Sequence, residues 1–390
     1  MTARVYLDWN ATALLRPAAR EAACAAMDVC GNPSSVHGEG RAARRLMEDA
    51  RGHVAALVNA DPRNVIFTSG GTEANALALA PGVGRDRLLV SAIEHPSVLS
   101  GGRFAAEDVE KAAVAPDGTV DLVALEQRLE MLARQDCRAM VSVMAANNET
   151  GVIQPVRETA EIVHRHGGLL HVDAVQAAGR MPLDITALGA DLMTLSAHKL
   201  GSLKGAGALI KRDEGIHIES LIRGGGQERG ARAGTENVAA IAAFGAAAEA
   251  AKADLTAGVL HMIGLRDRLE TLLCDISPEA VIFGANADRL PNTTLVAVPG
   301  GKAETLVIAF DLEGIAVSSG SACSSGKVAP SHVLAAMGIA SELARGAIRI
   351  SLGATTTETD IDRLLQVWQK LAQSLSIGEK RGQDSSRFAA

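Results

Sequence analysis

Short apolar runs that end in polar residues alternate with helical patterns through the first 211 residues. The runs lie at 64–68, 87–91, 138–144, 169–173, 191–194 and 207–211. This alternation predicts an α/β fold with a mostly parallel sheet flanked by helices. Ligands of such sheets bind beyond the carboxyl ends of the strands. We therefore expect one set of polar side chains to converge there: His95, Asn148, Asp173, Gln176, Ser196, His198 and Lys199.

The length of 390 residues suggests about two domains. A long alanine-rich helical region at 236–275 separates the sheet from a second unit, which has predicted strands and helices at 293–298, 303–312, 315–317, 332–337, 347–351 and 357–375. We predict a large domain over 16–258 and a smaller α+β domain formed by 1–15 with 259–377. The charged residues 378–390 are predicted to be a disordered tail.

Composition excludes several classes of function. The net charge is −7 without a long basic run, which argues against nucleic-acid binding. The five cysteines form no C-x-x-C pair, so neither a disulfide scaffold nor a structural zinc site is expected, and we predict no metal. No apolar run suits a signal peptide or a membrane span. These features predict a cytoplasmic protein that binds no membrane.

Lys199 stands at the end of a predicted buried strand, between Ser196-Ala197-His198 and Leu200-Gly201. A desolvated lysine readily lowers its pKa, which is what a Schiff-base nucleophile requires. The same segment also fits a solvated lysine just past a strand end. Taken alone, it leaves both interpretations open.

The segment from Asn64 to Asn75 predicts a strand, a turn of small residues and a helix. Backbone amides at such a helix start, with Gly71 allowing close approach and Thr72 offering a hydroxyl, would form an anion site. It matches neither the P-loop nor the dinucleotide fingerprint. A phosphate-bearing ligand and a plain tight turn both fit this segment.

A Schiff-base lysine, a phosphate cradle and a strand-end carboxylate together suggest pyridoxal 5′-phosphate (PLP). This cofactor needs an amine for its aldehyde, an anchor for its phosphate and an acid beside its pyridine nitrogen. Lys199 and Asp173 are the candidates for the amine and the acid. A strand-end aspartate that only caps a helix is the alternative for Asp173.

Ten segments in order along the chain resemble the cysteine desulfurases, PLP enzymes of fold type I in the class-V aminotransferase group. They lie at 6–8 with 11–12, 31–37, 67–75, 94–95, 147–151, 171–176, 196–199, 223–235, 318–326 and 349–353. The resemblance implies a seven-stranded sheet in the large domain and a catalytic cysteine loop in the small one. It also implies a homodimer with shared active sites.

The resemblance implies a role for each matching residue. Lys199 would hold PLP covalently, Asp173 would pair with the pyridine nitrogen and His95 would stack on the ring. Gln176 and Asn148 would address the ring hydroxyl, and Asn148 and Arg349 would contact substrate. The phosphate would be bound by Gly71, Thr72, Ser196 and His198, and by Thr235 of the partner subunit.

Cys323 lies in a Ser/Gly-rich stretch, 318–326, whose composition is that of a loop. The resemblance implies that its thiolate takes sulfur from L-cysteine as a persulfide, releases alanine, and passes the sulfur to a scaffold protein for iron–sulfur clusters. Lys199 and His95 would handle the protons. The other cysteines are predicted to be inert core residues: Cys24, Cys30, Cys137 and Cys274.

Three alternatives remain open. A selenocysteine lyase or an aminotransferase of the same PLP group would keep most of this site, although an aminotransferase has no use for Cys323. A catalytically silent protein of the same fold could act only as an assembly partner. Production of alanine and sulfide from cysteine, without a keto acid, would distinguish a desulfurase from these.

Overall fold

The computed structural model of the chain describes residues 4–82, 85–319 and 330–387. The strands are β1 Val5–Tyr6, β2 Val65–Thr68, β3 Arg87–Ser91, β4 Val109–Ala112, β5 Ala139–Ser142, β6 Leu169–Asp173, β7 Leu192–Ser196, β8 Gly207–Lys211, β9 Val281–Ile282, β10 Thr293–Ala297, β11 Ile315–Ala316 and β12 Ile348–Ser351. The helices are α1 Pro17–Met27, α2 Gly38–Leu57, α3 Gly71–Ala78, α4 Pro96–Leu99, α5 Leu122–Ala133, α6 Val156–Arg165, α7 Val238–Ala253, α8 Leu255–Ile276, α9 Ala303–Leu312, α10 His332–Ala336, α11 Ser341–Ala344 and α12 Glu358–Arg387. Single 3₁₀ turns lie at Pro62–Asn64, Ala106–Asp108, Ala197–Lys199 and Gln227–Gly230.

A seven-stranded sheet in the order β2-β8-β7-β6-β5-β3-β4 forms the centre of the large unit. Strands β7, β6, β5, β3 and β4 pair in parallel, while β8 is antiparallel to both of its neighbours. Strands β5 and β7 are buried along their whole length, because helices cover both faces of the sheet. The predicted α/β fold with a mostly parallel seven-stranded sheet is confirmed.

Alanine-rich helices pack closely against this sheet. Helices α1 and α2 both lie on α7. At the α2–α7 contact, a Cβ added to Gly245 would stand 2.4 Å from the Cα of Ala50. A larger side chain at either position would push the helices apart, which explains why small residues fill this layer.

Some elements differ from the prediction. The seventh strand, β4, was missed because its sequence Val-Glu-Lys-Ala is half polar, as suits an edge strand. The predicted single helical region at 236–275 is two helices that meet at Asp254. Helix α12 continues to Arg387 rather than ending near 375, and the disorder expected for 378–390 stays a prediction. The helix contains no proline to interrupt its hydrogen bonds.

The chain forms separate apolar clusters. One surrounds the large sheet and includes Phe244. Another joins Val5 and Leu7 to residues 265–368, including Phe310 and Trp368. The start of the chain therefore packs with the second unit. The division into 16–258, and 1–15 with 259–377, stays a proposal, and these clusters support it.

Candidate active site

A pocket of about 210 Å³ lies at the carboxyl ends of the central strands. Its walls include all seven polar residues expected at that edge, together with the phosphate-cradle residues Gly71 and Thr72. The seven are His95, Asn148, Asp173, Gln176, Ser196, His198 and Lys199. The parallel strands bring them together, since β5, β6 and β7 end at the same edge.

Lys199 ends the 3₁₀ turn that follows β7, and its side chain is half-buried. Nζ donates to the backbone carbonyls of Asn10 and Ala11, the latter at 2.9 Å. Burial, with the positive charges of Arg349 and Arg180, lowers the pKa of Lys199 to about 7 despite the opposing carboxylates of Asp8 and Asp173. Half of the amine is therefore unprotonated near neutral pH, which a nucleophile or proton acceptor requires.

A chain of hydrogen bonds connects Asp173 to His95. Asn75 Nδ2 donates to Asp173 Oδ2 at 2.9 Å and to Ser97 Oγ at 2.9 Å. Ser97 Oγ lies 2.8 Å from His95 Nδ1, and the amide of Val175 donates to Asp173 Oδ1 at 3.0 Å. These contacts fix the carboxylate and the imidazole relative to each other.

The protonation of His95 follows from its partners. Nδ1 accepts from the Ser97 amide at 3.2 Å, which assigns the proton of the neutral ring to Nε2. Burial lowers the pKa of His95; Lys199 and His332 act in the same direction and Asp173 opposes them. His95 is thus a neutral ring with a donor at Nε2, suited to stacking and to delivering a proton.

Helix α3 begins at Gly71, so the first amides of the helix face the pocket region without partners inside the helix. A Cβ added to Gly71 would lie 3.1 Å from Val175 Cγ2 and 3.4 Å from Ser196 Cβ, and would narrow this cradle. Glu73 accepts from the Ser69 amide at 3.0 Å, which closes the turn. The strand, turn and helix predicted at 64–75 are confirmed.

His198 lies beside the cradle, where its Nδ1 is 3.2 Å from Thr12 Oγ1. Burial, and then the neighbouring positive charges led by Lys199, lower its pKa to about 4. The ring is therefore neutral at neutral pH. It can serve a phosphate as a hydrogen-bond donor rather than as a cation.

Arg349 lies on β12 and is buried, next to this pocket. Nη2 is 2.8 Å from Asp8 Oδ1, and Nη1 donates to the Asn148 carbonyl at 2.9 Å. Its Nε is buried and has no hydrogen-bond partner. A buried donor without a partner is costly, and a carboxylate ligand would satisfy it.

One described residue among the predicted site residues lies away from this pocket. Thr235 is exposed and does not line it. Cys323 lies outside the described residues. The segments on either side do reach the site: Ser318 pairs with Arg349 through two backbone hydrogen bonds of 3.1 and 2.7 Å, and His332 Nε2 lies 2.9 Å from the Glu94 carbonyl.

Residues 5–364 match the family model described as Aminotransferase class-V. The chain belongs to the class-V aminotransferase family. It is 43% identical over 382 residues to a cysteine desulfurase of Cereibacter sphaeroides, which covers 95% of this chain and 96% of that protein. It is 41% identical over 345 residues to cysteine desulfurase IscS 1 of Archaeoglobus fulgidus, which covers 86% of this chain and 88% of that protein.

Solved structures agree with these relatives. A NifS-like protein from Rickettsia africae superposes with a TM-score of 0.87 at 37% identity, covering 95% of this chain and 99% of that one. The resemblance to cysteine desulfurases predicted from the sequence is confirmed, and this family is PLP-dependent.

Sequence reasoning missed four residues that shape this family site: Asp8, Asn10, Asn75 and Arg180. Buried Asn10 and Arg180 hold Gln176, since Gln176 Nε2 donates to the Asn10 carbonyl at 3.1 Å and Gln176 Oε1 accepts from Arg180. Asp8 and Asn75 stood inside matching segments, and that position was the signal available. Arg180, four residues after Gln176, gave no such signal.

The described cysteines differ partly from the prediction. Cys24 and Cys30 are exposed, whereas Cys137 and Cys274 are half-buried, and all four are free thiols. Cys24 and Cys30 are therefore not core residues, because α1 presents Cys24 to solvent and Cys30 lies beyond the helix end. Any test of Cys323 chemistry must control for them.

Within residues 4–82, 85–319 and 330–387, no group of His, Cys, Asp and Glu could hold a metal ion. No helix in the same ranges is long and apolar enough to cross a membrane.

Proposed function

We propose that this chain is a PLP-dependent cysteine desulfurase, which converts L-cysteine to L-alanine and transfers the sulfur to Cys323 as a persulfide. The observation that carries the proposal is the desolvated amine of Lys199, with a pKa of about 7, in one pocket with Asp173, His95 and the Gly71–Thr72 turn. Relatives named cysteine desulfurase over nearly the whole chain support the reaction.

The residues present fit PLP. Lys199 would bind its aldehyde carbon, and Asp173, whose oxygens accept hydrogen bonds from Asn75 and Val175, suits a protonated pyridine nitrogen. The helix start at Gly71, with Thr72, Ser196 and His198, would hold the phosphate. Asn75 Oδ1 is buried without a partner, which leaves an acceptor available beside the ring. When bound, PLP supplies an electron sink for the substrate Cα.

The chain's own residues handle protons and orientation. Arg349 would bind the substrate carboxylate, which would give its buried Nε a partner. The neutral amine of Lys199 would accept the Cα proton, since its pKa is close to the working pH. His95 would deliver a proton from Nε2.

Sulfur transfer is assigned to Cys323 on the sequence motif around it. Its thiolate attacks the substrate sulfur, so an S–S bond forms while the C–S bond breaks. That electron pair stays with the substrate Cβ, which gains a proton to give the methyl group of alanine. The attachment of Ser318 to Arg349 and of His332 to the Glu94 carbonyl keeps both flanks of this segment at the pocket.

We further propose a homodimer in which Thr235 of the partner subunit completes the phosphate site. An isologous dimer would give each pocket the partner's loop. The sulfur acceptor is proposed to be a scaffold protein for iron–sulfur clusters, which would take the persulfide sulfur by thiol exchange. The NifS-like relatives support this choice of acceptor.

The decisive experiment is mass spectrometry after brief exposure to cysteine without reductant. One added sulfur should map to the peptide that contains Cys323, and alanine should form without a keto acid. Because Cys24 and Cys30 are exposed, a Cys24→Ser/Cys30→Ser protein is the matched background. Cys323→Ser in that background should bind the cofactor and then fail to release alanine, because a hydroxyl is a much poorer nucleophile than a thiolate.

The alternatives give different results. A keto-acid requirement would indicate an aminotransferase, and turnover of selenocysteine alone would indicate a lyase. A protein that captures no PLP would be a silent assembly partner. Sulfur on another cysteine, or normal turnover by Cys323→Ser, would contradict the proposed mechanism.

A further inference from the structure

The glycine-rich loop, residues 224–235, carries five glycines and reads as flexible, yet it contains a buried carboxylate. The side chain of Glu228 is only 2% exposed. A buried charge is stable only when it is paired and hydrogen-bonded. The loop is therefore held at one defined point.

Arg51 of helix α2 supplies the pair. Its Nη1 and Nη2 donate to Glu228 Oε2 and Oε1, each at 2.8 Å, in a fork-to-fork arrangement. Arg51 Nη1 also donates to the Val65 carbonyl, and the Phe67 amide donates to Glu228 Oε2, both at 2.8 Å. Both backbone contacts are with β2, the strand that leads into the Gly71–Thr72 turn.

The backbone confirms that the loop is constrained at this point. Glu228 and Arg229 have φ angles of 46° and 56°, in the left-handed region that side chains other than glycine disfavour. Such conformations persist where surrounding contacts determine them. The buried pair supplies those contacts.

A second pair fixes the outer part of the loop. Arg232 Nε and Nη2 donate to Glu73 Oε1 and Oε2 at 2.9 and 3.4 Å. Glu73 follows Thr72 in the first turn of α3. The Gly234 amide also donates to Gln227 Oε1 at 3.1 Å, within the loop. The loop is thus clamped to the turn proposed to hold phosphate in its own subunit.

Thr235 follows these anchors directly but faces outward. Ala233 is buried, Gly234 turns the chain with a φ of 105°, and Thr235 is exposed. Thr235 is not among the described residues that line the pocket of its own subunit. A clamped loop that ends in an exposed hydroxyl is suited to a contact outside its own subunit.

We infer that the Arg51–Glu228 and Arg232–Glu73 pairs are positioning residues that hold Thr235 for the partner subunit's cofactor phosphate. This inference rests on the proposed function, in which that phosphate site is shared. The pairs would then act in trans: a defect in one chain would loosen cofactor in the other chain's pocket.

A mixed dimer tests the inference. Two differently tagged chains are co-purified, one of them carrying Lys199→Ala, so that only one pocket can hold PLP covalently. Glu228→Gln is placed either in the Lys199→Ala chain (trans) or in the chain with Lys199 (cis). The readout is the fraction of chain with borohydride-fixed cofactor, by intact mass, after timed gel filtration.

We expect the trans placement to speed cofactor loss about tenfold, because a tenfold change corresponds to the free energy of one hydrogen bond to an anion. The cis placement should change it less than about twofold. Glu48→Gln is the matched control, because Glu48 also contacts Arg51, at 3.2 Å, but is half-exposed and outside the loop. It should have no effect in either placement.

Thr235→Ala distinguishes a failure of the positioning role from a failure of the shared phosphate site. If Thr235→Ala acts in trans while Glu228→Gln acts equally in both placements, the positioning role is wrong and the shared site stands. If Thr235→Ala has no trans effect, the shared site itself is wrong. If Glu228→Gln does not fold, Arg232→Gln is used instead. Cofactor loss that is no faster with Arg232→Gln in the trans placement than in the cis placement would then overturn the inference.

Discussion

Two irregular segments contact the elements that form the pocket, and different forces fix them. The N-terminal arm past the Asp8–Arg349 ion pair, residues 9–12, is held at Asn10 by neutral hydrogen bonds: Asn10 donates from Nδ2 to Thr293 Oγ1 at 2.9 Å and accepts at Oδ1 from Asn292 at 3.1 Å. The glycine-rich loop is held by ion pairs. The arm directs its carbonyls into its own pocket, whereas the loop presents Thr235 to solvent.

This difference shows how each segment can fail. An amide network loses strength in steps as single hydrogen bonds are removed. A buried ion pair fails abruptly, since the loss of one partner leaves the other charged and unpaired. The arm should therefore tolerate substitution better than the inner part of the loop, although both are irregular segments.

The largest expected effect concerns the amine held by the arm. Its pKa of about 7 makes the unprotonated fraction of Lys199 at neutral pH roughly 10³ times that of an ordinary lysine. Labelling of cofactor-free protein by an amine reagent, resolved by peptide, should show a midpoint near 7 when folded and near 10.4 in denaturant. A folded midpoint near 10 would contradict the arrangement.

The same shift has a defined effect on stability. The folded pKa of Lys199 is depressed, so the unfolded protein binds more protons between pH 7 and about 10.4. The contribution of this group to the unfolding free energy is unfavourable below pH 7 and recovers as pH rises through that window. Arg180→Gln should raise the labelling midpoint, because Arg180 is one of the charges that lower this pKa.

Removal of the loop's buried carboxylate should cause the next largest effect. Glu228→Ala leaves the buried Arg51 charge with only the half-exposed Glu48 as an acidic partner, and should lower the unfolding free energy by about 3–5 kcal/mol in urea titrations. The double variant Arg51→Met/Glu228→Leu should recover most of that loss, since neither charge remains buried. Glu48→Ala, at a half-exposed position, is the control. A loss for Glu228→Ala no larger than that of the control would show that the pair does not fix the loop.

In the arm, Asn10→Ala should cost less, about 2–3 kcal/mol, because it leaves the buried groups Thr293 Oγ1 and Asn292 Nδ2 short of a partner. The backbone carbonyl that contacts Lys199 stays, so the labelling midpoint of Lys199 should change little. The exposed Asn286 offers the matched control, with Asn286→Ala expected within about 0.5 kcal/mol of the parent. A larger loss of unfolding free energy for Asn10→Ala than for Glu228→Ala would contradict the comparison between the two segments.

The comparison also separates what the sequence could predict from what it could not. His95, Asp173 and Lys199 were predictable because each follows a recognisable strand, and parallel strands end at one edge. The seventh strand was not recognisable by its residues, since β4 is half polar. The pairing of Arg51 with Glu228 joins residues 177 positions apart, and that of Asp8 with Arg349 joins residues 341 apart.

Contacts of such long range depend on packing that no local pattern reveals. Asn10 illustrates the same limit, since its partners Asn292 and Thr293 lie in the second unit. The buried Glu228 is a further case, since nothing in the glycine-rich composition of its loop indicates an anchored side chain. The roles assigned to Thr235 and Cys323 stay predictions.

The smallest expected effect tests the outer pair of the loop. Arg232 and Glu73 are more exposed than the inner pair, at 22% and 13%, so water screens them. Arg232→Gln should cost about 0.5–1 kcal/mol at neutral pH.

Burial alone would raise the pKa of Glu73, but the hydrogen bonds from Arg232 and Ser69 outweigh it and lower that pKa. A depressed carboxyl pKa stabilises above the unfolded value near 4.3 and ceases to do so as pH falls through the folded value. The difference in unfolding free energy between the parent and Arg232→Gln should therefore shrink below about pH 4, and it should also shrink in high salt. The same difference at pH 3 as at pH 7 would mean that Arg232 acts through packing rather than through the charge of Glu73.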